Sequence, residues 1–385
     1  MALEGFVRRV RAAGRFGIDT EFVGEGRYRT LLCVVQVVVS DDEGLEVVVL
    51  DALDDSTDLQ PLASLLAEPA IEVVVHAGRQ DIALLRRFID TDVTHIFDTQ
   101  IAAGFAGLSA QAGYDTLLRE VLGVRVQKTA SYTRWDRRPL DAEQLAYARE
   151  DVLHLLDLAV ELERRLETHD RVDWALEECR YLEGVSDVRD IDAVFARLPR
   201  INSLSPGARA VARELVSWRE EIAEHQDRPV STVLNDAALV EIAKRAPRTP
   251  EQLEQVRGVN PGSLRRRGSD LLATVARGTS APPIPVSSER HEPSSPLDGP
   301  QIALAEALVR ARALEAGLAY ELIAARADLQ AIVSSVRSGR GDPEVRTLGG
   351  WRRELVGEEL LAMLRGERSL AVSAGGQLAI NALKP

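Results

Sequence analysis

The segment Ile18-Asp19-Thr20-Glu21-Phe22 carries two acidic residues, one position apart, inside an apolar stretch. In a β-strand, successive side chains alternate between the two faces, so Asp19 and Glu21 point the same way and Thr20 points the opposite way. Two like charges on one face repel each other, and a divalent metal ion relieves that repulsion because hard cations prefer oxygen ligands. A solvated edge strand is the alternative, so the metal interpretation needs ligands from distant parts of the chain.

The composition is that of a soluble globular protein, with 45% hydrophobic and 28% charged residues among 385, a length that suggests two or three domains. The net charge of −13 is uneven: residues 1–200 hold 23 Lys and Arg against 37 Asp and Glu, whereas residues 201–385 hold 24 against 23. We therefore expect nucleic acid to bind local basic patches rather than the whole surface.

No apolar run is long enough for a membrane span or follows the pattern of a signal peptide, and Cys33 and Cys179 are too few for a disulfide framework or a zinc site. We expect a cytoplasmic protein.

Residues 1–200 predict a mixed sheet with helices packed on it. Three apolar, mostly valine-rich runs separated by short Gly- and Asp-containing links are typical of an antiparallel meander. Strand-length and helix-length segments then alternate, which indicates parallel crossovers beside the meander. The predicted strands are Phe16–Val23, Leu31–Val39, Glu46–Leu50, Ile71–Val75 and Ile96–Thr99. The predicted helices are Leu59–Leu66, Gln80–Phe88, Tyr114–Val121 and a long helix that begins after Asp141, with Gln144 completing a capping box, and runs towards Thr168.

The rest of the chain reads as two helical regions and a linker. Residues 205–278 predict a compact bundle joined by Pro- and Gly-bearing turns, residues 279–300 a Pro/Ser-rich linker, and residues 301–385 a second helical region. The helices predicted in the first bundle are Pro206–His225, Asp236–Arg245, Pro250–Val256 and Pro261–Arg277. We expect three domains, at 1–200, 205–278 and 301–385.

Two further segments could complete a carboxylate site. Asp81 follows the strand Ile71–Val75 in the first turn of a helix, where the helix dipole favours an anion. Tyr147 and Asp151 are four residues apart and therefore share one face of a helix. Each feature alone has an ordinary structural explanation, as a first-turn acid or as a packing pair.

Together these motifs resemble the DEDD exonuclease superfamily in its tyrosine-bearing branch, and within it the ribonuclease D family. The resemblance rests on Ile18–Phe22, His76–Asp81 and Tyr147–Asp151, and Thr133–Leu140 is similar to the segment that precedes the last motif. Residues 205–278 resemble an HRDC domain, the helical nucleic-acid module of ribonuclease D and RecQ-type helicases. The surroundings of Gly350-Trp351-Arg352-Arg353 are similar to the second HRDC-like domain of that family.

The resemblance implies an α/β plus all-α fold, in which a ribonuclease H-like mixed sheet is followed by two small HRDC-like bundles. It implies a metal-dependent 3′→5′ exoribonuclease that trims single-stranded 3′ ends of structured RNAs such as tRNA precursors and releases nucleoside 5′-monophosphates. Two divalent cations, Mg²⁺ or Mn²⁺, would be bridged by Asp19, with Glu21 and Asp151 completing one site and Asp81 supporting the other. Tyr147, whose ordinary pKa near 10 makes it a poor base, would orient the attacking water.

Basic and aromatic residues are candidates for holding the nucleic acid. Before the helix of Tyr147 and Asp151, cations could pair with phosphates and a ring could stack on a base. On the first bundle, a run of three arginines is the sharpest basic feature. The candidates are Lys128, Arg134, Trp135, Arg137 and Arg138, followed by Arg265, Arg266 and Arg267. The alternatives are a solvated loop anchored by a buried Trp135 and an exposed helix face, while His76 and Asp98 are interpreted as structural, with Asp98 capping the next helix.

Two other functions stay open at this stage. A DNA-directed exonuclease of the same superfamily would differ only in contacts to the 2′-hydroxyl, which the sequence does not reveal. A non-catalytic nucleic-acid adaptor would be expected to have lost part of its acid set, yet all four acids and Tyr147 are present. A helicase fragment is disfavoured because the chain has no Gly-x-x-x-x-Gly-Lys-Ser/Thr loop.

Overall fold

The structure, a computed structural model, describes residues 2–126, 133–259, 261–286 and 295–382, apart from the side chains of residues 2, 261, 263 and 264. The chain forms two compact units. The first contains the described residues of 1–21, 34–186 and 291–385, and the second those of 22–33 and 187–290. Within the described ranges, no helix is both long enough and apolar enough to cross a membrane.

A five-stranded mixed sheet lies at the centre of the first unit. Its strands are β1 (Arg15–Val23), β2 (Leu31–Asp41), β3 (Gly44–Asp51), β4 (Glu72–Val75) and β5 (Ile96–Asp98), in the order β3-β2-β1-β4-β5. β2 and β3 are antiparallel, whereas β1–β4 and β4–β5 are parallel. β1, which carries Asp19 and Glu21, is the middle strand and not an edge strand. The predicted mixed sheet is confirmed, and the solvated-edge alternative for the Asp-x-Glu strand is wrong.

Helices cover this sheet. They are α1 (Ala2–Ala13), α2 (Gln60–Leu66), α3 (Arg79–Ile89), α4 (Thr99–Phe105), α5 (Tyr114–Leu117) with a π-helical turn Leu118–Leu122, α6 (Ala142–Leu153), α7 (Leu155–Thr168) and α8 (Val172–Glu183). The sequence analysis did not predict α1, although the buried Phe6, Val7 and Val10 follow helical spacing. The single helix expected from Asp141 towards Thr168 is broken at His154, where no proline or glycine marks the break.

The second unit is a helical bundle. It contains α9 (Ile191–Ala196), a 3₁₀ turn Ile201–Ser203, α10 (Pro206–His225), α11 (Val230–Val233), α12 (Asp236–Arg245), α13 (Pro250–Glu254) and α14 (Pro261–Ser280). The bounds of α10 and α12 are those predicted. α10 and α14 pack closely, since a Cβ on Gly278 would lie 2.5 Å from the Cα of Val211. Glycine is therefore required at that crossing.

The C-terminal region belongs to the first unit. Its elements are α15 (Asp298–Ala316), α16 (Tyr320–Ile323), α17 (Arg326–Arg337), a 3₁₀ turn Arg346–Leu348, α18 (Gly350–Arg352), a π-helical turn Arg353–Gly357, α19 (Glu358–Leu364), β6 (Arg368–Val372) and β7 (Leu378–Ala382). Trp351 stacks on Trp174 of α8, with ring centroids 5.1 Å apart, and meets Phe105 edge-on at 5.0 Å. The antiparallel hairpin β6–β7 corrects the expectation of helix to the end of the chain; the Gly375-Gly376 pair allows its tight turn, with Gly376 at φ +79°.

Candidate metal centre and nucleic-acid contacts

Three carboxylates from two elements converge beside the central strand. Asp19 and Glu21 lie on β1 and Asp151 lies on α6, and one oxygen from each falls within 4.8 Å of the others. The start of α6 is fixed by the predicted capping box, in which Asp141 accepts from the Gln144 backbone N–H at 2.8 Å and Gln144 Oε1 accepts from the Asp141 N–H at 3.0 Å. The position of Asp151 along this helix therefore follows from a local sequence signal.

These carboxyl groups resist ionisation in the metal-free protein. Burial raises the pKa of Asp19 well above its usual range, and the neighbouring carboxylates raise it further. Burial likewise raises the pKa of Glu21 to about 8, with Asp151 and Asp81 adding to the effect. Burial raises the pKa of Asp151 to about 7, against the opposing hydrogen bond with Tyr147. A set of crowded oxygen donors that all favour the neutral form is suited to a hard divalent cation, which stabilises their ionised forms.

Asp81 lies close to this group but outside the cluster of three. It is 8% exposed in the first turn of α3, where it was predicted, and its carboxylate accepts a hydrogen bond from the Thr20 hydroxyl. Burial raises the pKa of Asp81 to about 6, and the Thr20 hydrogen bond opposes that rise. Asp81 and Asp151 both raise the pKa of Asp19 and of Glu21, so the four acids lie close enough to repel one another when ionised.

Asp98 fixes the turn that leads to Asp81. Its buried carboxylate accepts from the backbone N–H groups of Ala77 at 3.0 Å and Gly78 at 2.9 Å, and it also caps α4 as predicted. A Cβ on Gly78 would lie 2.6 Å from Val75, so this turn has room only for glycine. His76 Nδ1 lies 3.0 Å from the Thr99 hydroxyl and burial lowers its pKa to about 4, as fits a neutral structural histidine.

Tyr147 is placed to donate a hydrogen bond at the site. Its hydroxyl lies close enough to the Asp151 carboxylate, four residues further along α6, to lower the pKa of that group. Burial and the nearby carboxylates raise the pKa of Tyr147 above its usual value, so its hydroxyl stays protonated. The Trp135 ring packs against it, with centroids 6.1 Å apart. Trp135 is only 3% exposed, which corrects the prediction that it stacks on a base: the ring is the buried anchor of its loop.

Gln36 is a site residue that the sequence analysis missed. It lies in the middle of β2 and is fully buried, and its Nε2 donates to Asp19 Oδ2 at 3.2 Å. Its Oε1 has no hydrogen-bond partner among the described atoms. The signal was available, because Gln36 is the one polar residue within the run Leu32–Val39.

The predicted basic contacts before α6 differ in their surroundings. Lys128 lies outside the described residues. Arg134 pairs with Asp136 at 2.7 Å, and Arg138 pairs with Asp51 and donates to the Trp135 carbonyl at 2.7 Å. Arg137 is exposed, and its side chain contacts no hydrogen-bonding or charged group among the residues described. Arg138 thus links the loop before α6 to Asp51 of β3, whereas Arg137 is exposed to solvent.

The predicted arginine run lies on α14 of the second unit. Arg265 and Arg266 are exposed, and Arg267 is half-buried, with its Nη2 donating to Gln226 Oε1 at 2.6 Å. The three residues are therefore not equivalent.

Comparisons with known proteins match both parts of the chain. A family of 3′-5′ exonuclease domains matches residues 1–167, and the HRDC domain family matches residues 208–275. The ribonuclease D of Nitrobacter hamburgensis is 35% identical over 363 residues, 93% of this chain and 92% of the relative. That of Granulibacter bethesdensis is 36% identical over 92% of this chain and 88% of its own length. The crystal structure of Escherichia coli RNase D, described as an exoribonuclease involved in structured RNA processing, superposes with a TM-score of 0.80 at 26% identity, covering 95% of this chain and 96% of its own.

Proposed function

The chain belongs to the ribonuclease D family and is a 3′→5′ exoribonuclease, and from that premise we propose that it trims the 3′ ends of structured RNAs such as tRNA precursors. The products would be nucleoside 5′-monophosphates. The observation that carries this proposal is the convergence of Asp19, Glu21 and Asp151 beside the Tyr147 hydroxyl. The RNA class is suggested by the E. coli relative, which is described as an exoribonuclease involved in structured RNA processing.

The acid set suits two divalent cations, Mg²⁺ or Mn²⁺. Asp19, Glu21 and Asp151 would hold the first, while Asp19 and Asp81 would hold or support the second. When bound, such a pair lowers the pKa of a water and stabilises the entering and leaving oxygens of a phosphodiester displacement. The carboxylates contribute the charge that attracts the cations, and Gln36 and Thr20 hold two of those carboxylates by hydrogen bonds.

Tyr147 would orient the attacking water. Its raised pKa makes the hydroxyl a hydrogen-bond donor and acceptor rather than a base at neutral pH. The packing of Trp135 against the ring, with Asp151 close to the hydroxyl, favours one direction of that hydroxyl. A fixed direction matters because alignment of the nucleophile with the scissile bond supplies a large part of such a rate enhancement.

The RNA strand would be held by basic side chains. Lys128, Arg134 and Arg137 before α6, and Arg265, Arg266 and Arg267 on α14, remain the proposed contacts to phosphates. Arg138 is a weaker candidate because Asp51 and the Trp135 carbonyl already occupy its guanidinium. We also propose a cytoplasmic location, which the two free and buried cysteines support.

The test is an end-labelled degradation assay. A structured RNA with a single-stranded 3′ tail, labelled at its 5′ end, should shorten one nucleotide at a time with Mg²⁺ or Mn²⁺ and stay intact with EDTA. A matched DNA tail tests the alternative DNA-directed exonuclease, and the Asp19→Asn variant is the inactive control. Loss of the 5′ label as the first product, or trimming that persists in EDTA, would contradict the proposal.

A further inference from the structure

A cavity of about 440 Å³ opens in the helical bundle of the second unit. It lies between the end of α10, the segment that follows it and the first half of α14. Three of its lining residues are arginines, namely Arg228, Arg266 and Arg267, and Asp270 is its one acidic lining residue. Its volume is within the usual range of small-ligand pockets.

The backbone after α10 brings Arg228 to this cavity. Gln226 caps the helix, and Asp227 adopts a left-handed conformation with φ +44°, which reverses the chain. The Arg228 N–H then bonds to the Ala223 carbonyl at 3.0 Å and closes the turn. On the opposite wall, Arg267 is held by its 2.6 Å hydrogen bond to Gln226. Both walls are therefore fixed by contacts within the unit.

Asp270 offsets one of the three positive charges of this cavity, and the two nearest acids of the α10 end pair with other arginines. Asp227, which adjoins Arg228, pairs instead with Arg27, and Glu224 pairs with Arg29. Neither Arg228 nor Arg266 makes an ion pair with any residue that the structure describes. Burial and the nearby Arg266 and Arg228 hold the pKa of Arg267 below its usual value, which is the effect of gathering like charges in one concave site.

We propose that this arginine cavity (Arg228, Arg266 and Arg267) binds a phosphate group, supplied by the backbone of the RNA that the enzyme holds. A guanidinium presents paired N–H donors that match phosphate oxygens, and an anion relieves the repulsion among the three arginines. The inference rests on the proposed RNA substrate and separates Arg266 and Arg267 from Arg265, which does not line the cavity.

The proposal is tested by RNA binding in EDTA, where the full chain cannot cleave. Arg228→Gln combined with Arg266→Gln removes two cavity charges, and Arg248→Gln combined with Arg257→Gln removes two exposed charges elsewhere in the same unit. If each lost arginine neutralises one phosphate, the slope of log K against log salt falls by about 1.4, so binding at about 0.1 M salt weakens about 25-fold. The control pair should change affinity by much less.

A second arm separates the possible sources of phosphate. Inorganic phosphate is titrated into the wild-type chain and the cavity variant, and heat or melting temperature is followed. If RNA binding is unchanged in the variant but inorganic phosphate binds only the wild type, the cavity takes free phosphate and the assignment to the RNA backbone is wrong. If neither ligand distinguishes the proteins, or the control pair weakens RNA binding equally, the proposal is overturned.

The design keeps this result apart from the proposed activity. Failure of metal-dependent 3′ trimming would appear in the wild-type chain, whereas failure of the cavity proposal appears only in the comparison of variants. The single variant Arg266→Gln, an exposed side chain on α14, replaces the double variant if circular dichroism indicates a folding defect. It should halve the change in salt slope.

Discussion

Replacing Gln36 with leucine tests whether this buried amide controls metal binding. The substitution keeps the approximate size of the side chain but removes the donor that bonds to Asp19 Oδ2 at 3.2 Å. A hydrogen bond to a charged group is worth about 1.5–3 kcal/mol, and this one is at the long end of the usual distance range, so we take about 1.5 kcal/mol. We therefore expect metal affinity to fall about tenfold, the lower end of the effects seen for groups that hold metal ligands.

Stability should move differently from metal affinity in this variant. Gln36 Oε1 is buried and has no partner among the described atoms, so leucine removes an unsatisfied polar atom from the core. Without metal, Asp19 favours its neutral form. Removing the Gln36 donor therefore costs the metal-free protein less free energy than it costs the metal-bound protein. The metal-free melting temperature should therefore stay level or rise while the affinity for metal falls.

The measurement is calorimetric titration of Mn²⁺ into the full chain, paired with thermal unfolding in EDTA. Val34→Ala is the matched control, because Val34 is a fully buried residue on the same face of β2 and makes no polar contact there. It should cost about 2 kcal/mol of unfolding free energy and leave Mn²⁺ affinity unchanged. Wild-type affinity in Gln36→Leu, or an equal loss in both variants, would refute the assigned role.

Three further predictions concern the mechanism, the acid set and the packing of the C-terminal region. Tyr147→Phe should lower kcat up to about 100-fold through misalignment of the water without abolishing Mn²⁺ binding, so an unaltered kcat at saturating Mn²⁺ would remove the hydroxyl from the mechanism. In EDTA the raised pKa of Glu21, about 8, means that the folded chain binds more protons than the unfolded chain between about pH 4 and about pH 8. Thermal stability should therefore fall as pH rises through that window, less steeply in Glu21→Gln, and equal slopes would contradict the shift. Gly350→Ala should cost about 1–2 kcal/mol in urea unfolding because Gly350 has φ +47° and an added Cβ would meet Glu177, whereas Gly299→Ala, with nothing within 4 Å, should cost nothing; equal stabilities would contradict the strain.

Local signals were enough to predict the sheet and the three carboxylate motifs. Alternation along β1 puts Asp19 and Glu21 on one face, and the capping box at Asp141 sets the helix that carries Asp151. The role of Asp98 was predicted only in part. The hydrogen bonds that Asp98 accepts from the backbone of Ala77 and Gly78 depend on the parallel pairing of β4 with β5, which places Asp98 opposite Val75. No local sequence pattern specifies that register.

Other features depended on packing between distant segments. The bond from Gln36 to Asp19 requires β2 to adjoin β1, and the bond from Thr20 to Asp81 requires α3 to lie against β1. The break at His154 has no glycine or proline, so no local sequence signal marks it. A polar residue in an apolar strand indicates that a buried hydrogen bond exists, but the sequence alone does not identify the residue that forms the other half of that bond.

The choice of partners distinguishes the acid set from the other carboxylates of the first unit. Asp41 is paired with Arg9, Glu72 with Arg15 and Asp51 with Arg138. Among the described residues, no lysine or arginine pairs with any of the four site acids, whose partners are the neutral donors Gln36, Thr20 and Tyr147. An arginine would occupy these carboxylates permanently, whereas neutral donors orient them and leave their oxygens free to ionise when a cation binds. The fold thus keeps an unneutralised acidic centre on its middle strand, and divalent cations are the partners that such a centre requires.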